Sequence, residues 1–118
     1  MTPQQLLEHL FALPTRELDA FALSTVVLSL LHHEGESAQL MKGTLADRPH
    51  HWVIWQEWLV DFRYPGIGAP EAGIRPVGEC SLYRGERSEV VPIPKVLLPT
   101  FCGGDHAHFD HLAARRES

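Results

Sequence analysis

The chain has 118 residues, 44% hydrophobic and 21% charged, a composition that suits one globular domain and excludes a multidomain assembly or a disordered polar segment. Ten Lys and Arg against fifteen Asp and Glu give a formal charge of −5, so a surface that neutralises phosphates, and with it a nucleic-acid partner, is not expected. No membrane partner is expected either, since the longest mostly apolar stretch, residues 20–31, contains Ser24, Thr25 and Ser29 and falls short of the roughly 20 residues of a bilayer span. The opening Met-Thr-Pro-Gln-Gln lacks the basic start and apolar core of a cleaved signal. A cytoplasmic location is the default expectation, and there Cys80 and Cys102 would stay thiols.

In chain order, Thr2, Pro3 and Gln5 form a helix start, in which the hydroxyl caps, proline takes the first helical position and Gln5 reaches back. Leu6, Leu7, Leu10 and Phe11 then share one face, and Pro14 ends the segment. Residues 19–34 are apolar almost all round, with Gly35 as a stop, which predicts a buried central helix. Thr25, Val26 and Val27 favour strands, but a strand of about 14 residues would be unusually long. Residues 38–45, 50–55 and 58–62 read as consecutive strands, the last two joined by Gln56-Glu57, with Pro49 just before the second.

Beyond Tyr64 the chain is rich in Gly and Pro until short apolar runs return at residues 90–93 and 96–98. There Pro92, Pro94 and Pro99 predict edge strands or extended cover. Residues 103–118 read as a polar, His-rich tail to a single domain over residues 1–102. The expected fold is α+β: two N-terminal helices, the second buried, packed on a small antiparallel sheet of about four to five strands.

A helix rich in apolar residues and closed by Gly35, a strand through Leu40 and Met41, then His50-His51-Trp52-Val53, then Trp58-Leu59-Val60-Asp61 make an ordered set. Residues 17–63 resemble in this order the core of the transglutaminase-like superfamily, which shares its papain-like fold with many cysteine peptidases. In style they are similar to small bacterial members such as lasso-peptide leader peptidases. The resemblance implies a thiol-dependent hydrolase or acyl transferase on a peptide or protein substrate, needing no cofactor. His50 would be the general base, Asp61 the group that orients it, and Trp52 a wall for the substrate.

The chemistry asks for this layout because a thiol attacks as thiolate, which a helix N-terminus and a neighbouring imidazolium stabilise, while a carboxylate fixes the imidazole's tautomer. The nucleophile itself is missing. Ala20, directly behind Asp19 at the expected helix start, takes its place, with Leu18 as the other position the resemblance allows. Ala at this point is what either natural loss of the thiol or a Cys-to-Ala replacement leaves, and the chain as it stands should bind without turnover.

Other residues invite plainer readings. His51 alternates to the opposite face from His50 and should meet solvent, Trp55 and Trp58 are expected to pack, and His32 and His33 complement the dipole at a helix C-terminus. His106-Ala107-His108-Phe109-Asp110-His111 fits H-x-H-x-D-H. This pattern resembles the zinc signature of the metallo-β-lactamase superfamily, although too little chain follows for its further ligands. Zinc held by Cys102, His106, His108 and His111 remains a weaker alternative, as does a rearranged Cys102–His50 pair. The rival from another class is a non-catalytic protein-interaction module whose groove runs past Trp52.

Overall fold

The computed structural model describes residues 1–64, 70–79 and 82–102. Its elements are α1 (Pro3–Phe11), α2 (Ala20–His33), β1 (Ala38–Leu45), β2 (Arg48–Trp55), β3 (Trp58–Val60), β4 (Ile74–Pro76), β5 (Tyr83–Arg87) and α3 (Leu98–Cys102). The strands form one antiparallel sheet in the order β4-β3-β2-β1-β5, and the class is α+β. Among the described residues no helix is long and apolar enough to cross a membrane.

Local chemistry sets the helix ends. Thr2 and Gln5 form a reciprocal capping box at α1, and the Asp19 carboxylate accepts from the Ala22 N–H at the start of α2. At the other end of α2, Gly35 takes φ +76°. The Gly35 and Glu36 N–H groups return to the carbonyls of His32 and Leu31, closing the helix in a Schellman turn that only glycine enters without strain. The two most deeply buried hydroxyls inside α2 are bonded: Thr25 donates to the Phe21 carbonyl, and Ser29 donates to the Thr25 carbonyl and accepts from the Ile93 N–H.

Strand alternation divides the sheet into two unlike faces. Leu40, Val53, Trp55 and Val60 face α2 and join Leu23, Val26, Val27 and Leu31 in the apolar core. Glu36 accepts from the Trp55 indole at 2.8 Å and from the N-terminal ammonium at 3.1 Å, which seats this end of the core. His50, Trp52, Leu59, Asp61, Arg75 and Tyr83 fall on the other face. Gly43 and Gly85 stand opposite each other there, and a Cβ on Gly85 would collide with the β1 backbone and the Trp52 indole. The glycine pair makes room for Trp52.

Several expectations are corrected. Strand β2 starts at Arg48 and so contains Pro49 opposite Thr44, and β3 ends at Val60. Strands β4 and β5 lie in the Gly- and Pro-rich stretch where none was expected. Residues 95–102 are a helical turn followed by α3 and not extended cover, because Pro94 precedes the turn and Pro99 sits at the start of α3, where a missing N–H costs nothing. The His-rich tail, with His106, His108 and His111, and Cys80 lie outside the described residues.

Candidate functional site

His50 and Asp61, eleven residues apart, meet at the end of the sheet. Their Nε2 and Oδ2 atoms are 2.8 Å apart. Asp61 follows β3 directly, and its main-chain N–H is held by the Gly73 carbonyl, so the carboxylate is fixed from the backbone upward. The Arg63 main-chain N–H occupies its Oδ1 at 2.9 Å, and the Tyr83 hydroxyl donates to Oδ2 at 2.7 Å. Because an ionised carboxylate only accepts, the His50 nitrogen facing it carries the proton, and in the neutral ring Nδ1 is then the free base. This is the orientation a His–Asp pair needs for general-base work.

Two members of the cluster were not foreseen from sequence. Tyr83 reaches Asp61 from β5, and Arg75 on β4 donates from Nη2 to the Tyr83 hydroxyl at 2.7 Å while lying over the Tyr64 ring at 4.3 Å. Burial first, and then the bond to Asp61, raise the Tyr83 phenol far above its usual range, so it stays protonated and donates. The Arg75 Nε is buried with no partner among the described residues. Trp52 is buried at 3% exposure and lies parallel to the His50 ring at a centroid distance of 6.5 Å. It forms part of the wall behind the imidazole.

Ala20 is the first residue of α2, half-buried just behind its capping Asp19. Arg63 brings this helix end to the end of β3, donating from Nε to the Leu18 carbonyl at 2.8 Å and from Nη2 to the Thr15 carbonyl at 2.8 Å. Ala20 thereby shares a crevice with Asp61 and Arg63, floored by Leu23, Val27 and Phe62 and too tight to admit a water molecule. His50 is not part of that crevice, because alternation along β2 turns it to the face away from α2. His51 takes the inward place instead, its ring 4.9 Å from that of Phe21. That corrects the expectation of a solvent-facing His51. Leu18 is buried in the core, where its side chain packs rather than meets substrate.

The remaining candidates lie elsewhere. His33 Nε2 is 2.7 Å from the Ile93 carbonyl at the end of α2. Cys102 is buried in α3, its thiol pushed up to about 11 by desolvation, the opposite of an activated nucleophile. Among the described residues no three His, Cys, Asp or Glu side chains come together to hold a metal. A cavity of about 630 Å³ opens between the C-terminal end of α2 and residues 88–92. Comparison of the chain with protein-family models, curated proteins and solved structures finds no match.

Proposed function

We propose that the chain binds a peptide or protein segment without cleaving it, on a frame of the cysteine-peptidase kind in which Ala20 stands at the nucleophile's position. The observation that carries this reading is the His50–Asp61 contact of 2.8 Å, whose Asp61 also lines the crevice at Ala20, the inert first side chain of a capped helix. The protonated Nε2 leaves Nδ1 as the base, and the N-terminal end of α2 favours an anion at residue 20.

Returning a thiol tests the reading. Alkylation of Ala20→Cys by iodoacetamide at neutral pH is expected to run at least about tenfold faster than that of Ala12→Cys, an exposed cysteine at the end of α1, and much faster than that of native Cys102. Equal rates at positions 20 and 12 would remove the ancestry. A second reading, an interaction module with no enzymatic relatives, draws support from the closed crevice at Ala20 and from the turning of His50 away from α2. In that case the His–Asp pair is a strut of the sheet, and replacing it changes stability but no thiol's reactivity.

A further inference from the structure

A hollow opens on the polar face of the sheet. It is lined by Leu45, Ala46, Arg48, Tyr64 and Leu82 and holds about 260 Å³, below the roughly 300–1,000 Å³ of sites for drug-sized ligands. That volume suits one side chain and is too small for a nucleotide or flavin. The floor is firm: Leu45 is 5% exposed at the end of β1, and the two-residue turn Ala46-Asp47, both with positive φ, returns the chain at once to Arg48. The Tyr64 wall is held from behind by the Arg75 guanidinium at 4.3 Å and by the Tyr83 ring at 6.3 Å. Leu82 stands open on the other side at 56% exposure, tied to the turn through its carbonyl, which accepts from the Ala46 N–H.

Arg48 gives this apolar hollow a charge. It is exposed at the rim, and no salt bridge involves it among the described residues. A guanidinium beside an apolar hollow selects a ligand with an apolar body and a terminal carboxylate, which the planar fork can take in a bidentate grip. On a chain of net charge −5 such a ligand is recognised at short range and not drawn in from afar.

We propose that this hollow binds the C-terminal residue of a peptide, its apolar side chain between Leu45, Tyr64 and Leu82 and its carboxylate on Arg48. The site stands whatever the ancestry of Ala20. Arg48 and His50 point to the same face of β2, so a chain bound this way would run past the His50 ring.

Titration of the intact protein with N-acetyl-glycyl-leucine, followed by amide NMR, reads the site directly. Shifts are expected at Leu45, Ala46, Arg48 and Leu82, with binding at least about tenfold weaker for the C-terminal amide of the same peptide and for the exposed variant Arg48→Gln. Leu82→Asp, which leaves Arg48 in place, should abolish the shifts. Equal binding of acid and amide, shifts confined to the large cavity by residues 88–92, or no shifts at about 10 mM peptide would each overturn the proposal.

Discussion

The two faces of the sheet are built on different principles. Toward α2 lie Leu40, Val53, Trp55 and Val60, whose hold is burial and whose partners are interchangeable within limits of volume. On the other face His50, Asp61, Tyr83 and Arg75 form a chain of directed bonds that runs from the imidazole through the carboxylate and the phenol to the guanidinium. The first face sets whether the protein folds, and the second sets where a few side chains point. A substitution should therefore act by size on one face and by valence on the other.

The two faces differ most sharply at Trp55, which is fully buried. Trp55→Ala should cost about 3–5 kcal/mol in chemical denaturation, the largest loss of any single change considered. On the polar face the strongest test is Asp61→Ala, which strands the Tyr83 hydroxyl, the Arg63 N–H and the His50 ring together. A loss of about 2–3 kcal/mol is expected, and a loss below that of Tyr83→Phe would deny Asp61 its place at the centre. Arg63→Ala should cost about 1–2 kcal/mol by freeing the Thr15 and Leu18 carbonyls. Faster amide exchange in the first turn of α2, with the C-terminal turn unchanged, would show that the loss is local.

Tyr83→Phe is the mildest change at neutral pH, about 1 kcal/mol, and the most informative in alkali. Because the phenol is raised in the folded state, its share of the stability is complete below about pH 10 and falls as pH climbs past that value, where the unfolded chain's tyrosine ionises. Denaturation series across this range should show a flatter alkaline decline in the variant. An unchanged slope would mean that Tyr83 is not locked to Asp61.

What the sequence could disclose follows the same division. Helices α1 and α2 were legible because capping residues and apolar spacing are local signals, and Gly35 marked a true stop. The β2–β3 hairpin and the His50–Asp61 spacing were legible because adjacent antiparallel strands turn a distance along the chain into a distance in space. Tyr83 and Arg75 carried no such signal. They sit on β4 and β5, a three-residue strand and an edge strand reading Tyr-Arg-Gly-Glu-Arg, where the apolar alternation that announces a strand is absent. Arg63 carries no local signal either, although its guanidinium ties the end of β3 to the residues before α2. The inward turn of His51 follows from strand alternation, which puts it on the same face as Val53 and Trp55.

If the His50–Asp61 pair and the start of α2 act as one site, the reactivity of a thiol at position 20 must depend on the imidazole. Alkylation rates of Ala20→Cys and of Ala20→Cys with His50→Gln, measured at neutral pH on proteins shown to be folded, should differ by at least about tenfold, the variant with His50 being faster. Identical rates would contradict a shared site and leave the pair as a structural element of the sheet.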